Sequence, residues 1–187
     1  MNQDEVLRLL SDRGAVRTGH FLLSSGKHSD VYVEKARVFE EPALTVRLAE
    51  EVAGWYEGVE LVVSPAVGAL PFGFAVALAA RARFVYAERE GGSMSLRRGF
   101  SIGTGEKALV VEDVVTTGGS AGEVHALMVE AGADAIGVAA LVDRSAGDLV
   151  FPLRALTRIS AETWDPGECP RCAEGVPIES PGSSRLA

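Results

Sequence analysis

Short apolar runs alternate with helical segments along most of this chain, and that alternation leaves few folds open. Residues 60–63, 84–87, 107–111 and 135–142 are rich in Val, Leu and Ala, too short for helices, and flanked by turn residues, which predicts buried strands. A final strand is expected over residues 149–159. Residues 70–80 read as a helix rich in small side chains. Ser120 is placed to cap a helix that runs to Ala131 and ends at Gly132. Upstream, residues 4–11 form a short helix with Val6, Leu7, Leu9 and Leu10 on its apolar face. Glu41-Pro42 opens another at about Ala43, on which Leu44, Leu48, Val52 and Trp55 recur at helical spacing. Residues 15–23 and 30–37 look extended, with a polar turn between them. This order predicts an α/β fold: an open, mainly parallel sheet with helices on both faces.

The length of 187 residues suits one domain with a small subdomain, and a 47% hydrophobic fraction is enough for a core. A net charge of −8 argues against a duplex nucleic-acid binder, which needs a basic face. It leaves phosphate-bearing small ligands open, because backbone amides hold a phosphate on an acidic protein. Residues 1–8 are polar and acidic. The longest apolar run, residues 72–80, is broken only by Gly73 and is too short for a membrane span. A soluble, cytoplasmic protein without membrane partners is expected.

The most informative stretch is Val110-Val111-Glu112-Asp113-Val114-Val115-Thr116-Thr117-Gly118-Gly119-Ser120. Two acids stand at the C-terminal end of a buried strand, where open α/β sheets bind ligands. A loop of hydroxyls and glycines follows, then a helix N-terminus whose free amides and dipole favour a phosphate. Carboxylates beside a phosphate repel it unless they face hydroxyls or a cation, so the combination points to a phosphorylated sugar, with Mg²⁺ nearby. The plain alternative is a strand–loop–helix turn with glycines for geometry. The acid pair, the two threonines and the apolar strand together outweigh it.

This stretch resembles the 5-phosphoribosyl-1-diphosphate (PRPP) motif of type I phosphoribosyltransferases: apolar residues, two acids, two apolar residues, then Thr-x-Gly-x-Ser/Thr. The resemblance implies that Glu112 and Asp113 hold the ribose hydroxyls, while Val114 and Val115 lead into a 5-phosphate loop of Thr116, Thr117, Gly118, Gly119 and Ser120. The segment from Gly19 to Tyr32, with its Ser25-Gly26-Lys27-His28-Ser29 core, resembles the N-terminal segment of the orotate branch. Val142-Asp143-Arg144 resembles that branch's Asp-Arg, whose arginine contacts the base. Orotate contacts are therefore expected from Thr116, Arg144 and either Lys27 or His28. Ser64-Pro65-Ala66-Val67-Gly68-Ala69-Leu70-Pro71 corresponds to the diphosphate loop. Gly68 stands where some relatives have lysine, which leaves the amides around Ala66, Val67 and Gly68 to hold the diphosphate.

The family's flexible loop often carries a lysine and a histidine. Here Arg89 matches its leading arginine, Glu90 follows, and Arg97 and Arg98 are the remaining cations. The resemblance further implies a hood over residues 1–40, a core over 41–160, a phosphoribosyltransferase domain over 1–163 and a homodimer. Mg²⁺ would be held mainly by PRPP, with Glu112 or Asp113 the only additional contact and no dedicated protein ligand set. Residues 164–187, rich in Pro, Gly and Ser, are expected to form a peripheral tail.

Several other motifs point elsewhere. Gly118-Gly119-Ser120-Ala121-Gly122 fits the nucleophile elbow of serine hydrolases, but the only later histidine, His125, lies in the same helix, which breaks the triad order. Gly103-Thr104-Gly105 precedes a strand rather than following one, so it reads as a turn. Cys169-Pro170-Arg171-Cys172 has the form of half a zinc knuckle. A structural zinc needs four ligands and no second Cys pair exists, so a redox or incidental pair is expected, with a site shared between two chains as the zinc alternative. His20 and His125 read as structural or surface groups. Purine or xanthine phosphoribosyl transfer, and a non-catalytic PRPP-sensing regulator, are the alternative functions. Arg144 and the N-terminal segment weigh against the first, and the acidic charge against the second.

Overall fold

The computed structural model describes residues 1–23 and 25–181; Ser24, within the Gly19 to Tyr32 segment, and tail residues 182–187 lie outside the described residues. The chain begins with α1 (Gln3–Asp12), closed by a capping box in which the Asn2 side chain accepts from the Glu5 amide and Glu5 accepts from the Asn2 amide, each at 2.9 Å. Val6 and Leu10, four residues apart, are its buried face. Strands β1 (Val16–Leu22) and β2 (His28–Val33) then pair antiparallel as the hood. A single turn, α2 (Ala36–Phe39), replaces the end of the extended segment expected over residues 30–37. It leads into α3 (Pro42–Ala53), with proline in the first turn.

The core follows as β3 (Leu61–Pro65), α4 (Leu70–Ala80), β4 (Arg83–Glu90), β5 (Ser93–Leu96), β6 (Lys107–Val115), α5 (Gly119–Glu130), β7 (Asp134–Asp143) and β8 (Leu153–Arg158). These six strands form one sheet in the order β5-β4-β3-β6-β7-β8. All neighbouring pairs are parallel except β4–β5. Alternation along β6 divides the core in two. Ala108 and Val110 pack with Ala121, Val124 and Met128 of α5 on one face. Leu109 and Val111 pack with residues of α3 and α4, among them Leu48, Phe72 and Val76, on the other. The expected open, mainly parallel sheet covered on both faces is the fold observed. No helix among the described residues is long and apolar enough to cross a membrane.

Three further differences from the sequence expectation have identifiable physical reasons. The segment after residue 87 is not irregular throughout: β4 runs on to Glu90 and turns back as β5, because Gly91 and Gly92 adopt positive φ between them. Ser120 is not the cap of α5. Gly118, at φ 76°, takes that position, and a Cβ there would come within 2.7 Å of Leu149. The stretch from residue 164, expected as a peripheral tail, folds back on the hood. Strand β9 (Thr163–Trp164) pairs antiparallel with β2, a 3₁₀ turn (Pro166–Glu168) and α6 (Pro170–Ala173) follow, and the Glu179 backbone exchanges hydrogen bonds with His20 and Leu22.

Candidate active site

The strand order places β4 on one side of β3 and β6 on the other, so the chain reverses its direction of winding between β3 and β6. Ligands of open α/β sheets bind in the crevice at the carboxyl ends of such strands. Here that crevice receives the loop after β3 (Ala66, Val67, Gly68), the acids of β6, and the loop that opens α5. The Ala66–Val67 peptide is cis.

Glu112 and Asp113 lie within β6 rather than after it, because β7 continues the parallel ladder as far as Val115 opposite Asp143. Both are buried. Glu112 Oε1 accepts from the Asp113 amide at 3.1 Å, and Asp113 Oδ1 accepts from the Val114 amide at 2.6 Å. Asp113 Oδ2 meets the ammonium of Lys35, which follows the second hood strand. Burial pushes the Glu112 carboxyl up to about 8, and the charge of Asp113 beside it adds to the rise, while Lys35 pulls it partly back. Near neutral pH Glu112 therefore holds a proton and can donate as well as accept. Lys35 was not a sequence candidate: it lies far from the acids in the chain and belongs to no recognisable motif. Gly68 completes this corner, since a Cβ there would collide with Lys35 and Asp113.

Beyond the acids, Glu112 and residues 114–121 line a cleft of about 70 Å³. The amides of Thr116, Thr117 and Gly118 donate to no protein acceptor among the described residues. The N-terminal amides of α5 point into the same region, so this is a concentration of free donors with a favourable helix dipole. His125, the histidine of the hydrolase alternative, packs against Phe151 with ring centroids 6.0 Å apart.

Arg144 follows β7 on the same rim, its amide donating to Val115 at 2.8 Å. Its guanidinium is half-buried and reaches toward the hood, with Nη2 3.5 Å from Ser29 Oγ, and Nε is buried without a partner among the described residues. Burial lowers its pKa, and Asp30 opposes that. The surface ion pair with Asp143 that a plain reading would give is absent: Asp143 caps the Ser145 amide and sits 3.7 Å from Arg158.

Lys27 and His28, expected at the base site, are engaged elsewhere. Lys27 Nζ is 3.2 Å from Asp165 on the surface. Neighbouring residues of a strand face opposite sides. Ser29 is the one turned to Arg144, so His28 faces away, buried 3.0 Å from His20.

Residues 47–151 match the model of the phosphoribosyl transferase domain. The orotate phosphoribosyltransferase of Caldicellulosiruptor bescii is 44% identical over 99% of this chain and 100% of its own length. The chain belongs to the orotate phosphoribosyltransferase family. The Thermotoga petrophila orotate phosphoribosyltransferase is 46% identical over 97% of this chain and 99% of its own. The crystal structure of the Aeropyrum pernix orotate phosphoribosyltransferase superposes with a TM-score of 0.69 at 28% identity, covering 82% of this chain and 93% of that one.

For an orotate phosphoribosyltransferase-family chain, the segment bearing the arginines is notable for how fully they are paired. Arg89 makes a two-point contact with Glu123 of α5, Arg97 lies 3.3 Å from Glu90, and Arg98 grips Glu88 through Nε and Nη2 at 3.0 Å each. All three arginines are exposed, and exposed pairs are weak, so the arginines are available to a competing anion.

Proposed function

We propose that this chain is an orotate phosphoribosyltransferase: it transfers the 5-phosphoribosyl group of PRPP to orotate, giving orotidine 5′-phosphate and diphosphate on the route to UMP. The reading rests above all on one convergence. A cleft of free amides, a buried acid pair and a half-buried guanidinium whose Nε has no partner among the described residues share the carboxyl rim of β6 and β7.

In this reading the amides and hydroxyls of residues 116–120 hold the 5-phosphate. Asp113 and the protonated Glu112 hold the ribose hydroxyls, and the loop of Ala66, Val67 and Gly68 receives the diphosphate. Arg144 and Thr116 read orotate, with the guanidinium offering two parallel donors to a planar carboxylate or carbonyl edge. The ring nitrogen of orotate replaces diphosphate at the anomeric carbon, and no protein nucleophile is required. Arg89, Arg97 and Arg98 exchange their glutamate partners for the departing diphosphate as the lid closes and excludes water.

Magnesium fits this donor set. Burial, with the charge of Asp113 beside it, raises the proton affinity of Glu112, a condition that a nearby cation relieves. Glu112 or Asp113 would hold it beside PRPP, where it would supply charge neutralisation for the leaving group. A homodimer belongs to the same proposal. Val67, Phe74 and Leu78 are exposed apolar side chains in the loop after β3 and on α4, which suits a subunit contact. Free thiols at Cys169 and Cys172 suit the cytoplasm.

The alternative of purine transfer has less behind it. The adenine phosphoribosyltransferase of Rhodothermus marinus covers 83% of this chain with a TM-score of 0.65 but only 21% identity, a likeness of fold alone. The deciding experiment follows orotate loss spectrophotometrically with PRPP and Mg²⁺, against adenine, hypoxanthine, xanthine and uracil. Turnover confined to orotate is expected. Turnover of a purine in preference to orotate would overturn the reading.

A further inference from the structure

The half-knuckle Cys169-Pro170-Arg171-Cys172 lacks a second cysteine pair, but the fold brings two histidines to it. His20 comes from β1, His28 opens β2, Cys169 precedes α6 and Cys172 lies within it. One ligand atom from each of these four residues lies within 4.8 Å of all the others. His20 Nε2 is 3.0 Å from His28 Nδ1, 3.4 Å from Cys169 Sγ and 3.7 Å from Cys172 Sγ. Cys172 Sγ is 3.3 Å from His28 Nδ1. A tetrahedral zinc with ordinary bond lengths sets its ligands about 3.4 Å apart for two nitrogens, and about 3.6 Å for nitrogen and sulfur. These four separations fall within a few tenths of an ångström of those edges, and the remaining two lie within 4.8 Å.

We propose that His20, His28, Cys169 and Cys172 form a structural zinc site that fastens the C-terminal segment to the hood. The ligand set is closed, with two imidazoles and two thiolates and no open position, as structural zinc sites have. Its mixed nitrogen and sulfur donors select zinc over the hard cations Mg²⁺ and Ca²⁺. The outer contacts are in place. His20 Nδ1 is 2.8 Å from the Val176 carbonyl; donating there, it fixes the tautomer that leaves the Nε2 lone pair for the metal. His20, His28 and Cys169 are buried, and Cys172 is at the surface, which gives the ion a path in. Binding releases the two thiol protons as both cysteines become thiolates, with no change of oxidation state.

The site lies on the side of β2 away from Arg144, so it is separate from the phosphoribosyl chemistry. Its role is mechanical. It pins the turn between β1 and β2, and with it the strand that carries Ser29 to Arg144.

The test is metal analysis of the full-length chain purified under reducing conditions without chelator, together with cobalt(II) titration of the stripped protein. About one zinc per chain is expected. The cobalt form is expected to show the intense visible bands of a tetrahedral centre and a sulfur-to-cobalt charge-transfer band. Cys172→Ser alters only the exposed ligand, and is expected to weaken zinc binding beyond the ~10–100-fold typical of losing an outer-shell partner. The same substitution should lower the melting temperature of the zinc-loaded chain while leaving that of the stripped chain unchanged. Absence of stoichiometric zinc with no tetrahedral cobalt spectrum would overturn the proposal. So would a Cys169–Cys172 disulfide in the protein as isolated, or equal zinc affinity in Cys172→Ser.

Discussion

The ammonium of Lys35, just past the second hood strand, meets Oδ2 of Asp113, deep in the central strand. This contact ties the hood to the acid pair. Asp113→Asn keeps the shape and still accepts from the Val114 amide, so the fold is expected to survive. The loss of charge is expected to lower kcat/KM for PRPP by about 100-fold, the scale of one removed transition-state contact. Steady-state kinetics with circular dichroism on the variant checks this. Near-normal turnover in a folded variant would remove the pair from the mechanism.

Replacing both Arg97 and Arg98 with Ala is expected to lower kcat more than it weakens orotate binding, because lid charges act chiefly on the departing diphosphate. Both side chains are exposed and their ion pairs are with Glu90 and Glu88 at the surface, so the melting temperature should barely move. An unchanged kcat would shift the burden to Arg89, which Glu123 holds in this structure.

Arg144→Lys tests the base site. The guanidinium is half-buried, with Nε left unpartnered, and a lysine cannot reproduce two parallel hydrogen bonds. A cost of about 2–4 kcal/mol in kcat/KM for orotate is expected, the scale of a lost charge-assisted contact at a buried position. PRPP binding, measured calorimetrically, should be nearly unchanged. Equal losses for both substrates would mean that Arg144 does not read the base.

Glu112 gives the ligand-free chain a pH dependence of known sign. Its carboxyl rises from 4.5 to about 8 on folding. A group whose folded pKa is raised contributes stability that is fully present below its unfolded value and is lost as pH climbs through the folded one. The wild-type chain is therefore expected to lose stability between about pH 4.5 and 8, a loss that Glu112→Gln lacks. The variant should melt a few degrees higher than wild type at about pH 8.5, since ~1 kcal/mol moves a domain of this size by roughly 2–4 °C. The gap should close toward pH 4.5. A gap independent of pH would rule Glu112 out as the titrating group.

The sequence by itself determined the layered fold and the amide-lined turn that opens α5, because both are written in local, contiguous patterns. The continuous apolar run of β6, the Pro42 start of α3 and the extent of α4 are set by residues adjacent in the chain. So is the run from Glu112 to Ser120, whose acids, hydroxyls and glycines need only a strand before them and a helix after. Even there, the cap passed from Ser120 to Gly118, because Leu149 and Phe151 crowd the turn from a distant segment.

Only the tertiary structure decided what depends on segments far apart in the chain. Lys35 carries no motif and acquires its place from the hood folding over β6. His28 and Ser29 are neighbours in one polar turn motif, yet the pleat sends one toward the cysteines and the other toward Arg144. The cysteines looked like an incomplete pair because their partners, His20 and His28, lie on the N-terminal hairpin. The return of the C-terminal segment along β2 is what brings the four together. Spacing in a sequence reports what one element presents on its own surface; a site assembled from opposite ends of the chain exists only once strand pairing has fixed which faces meet.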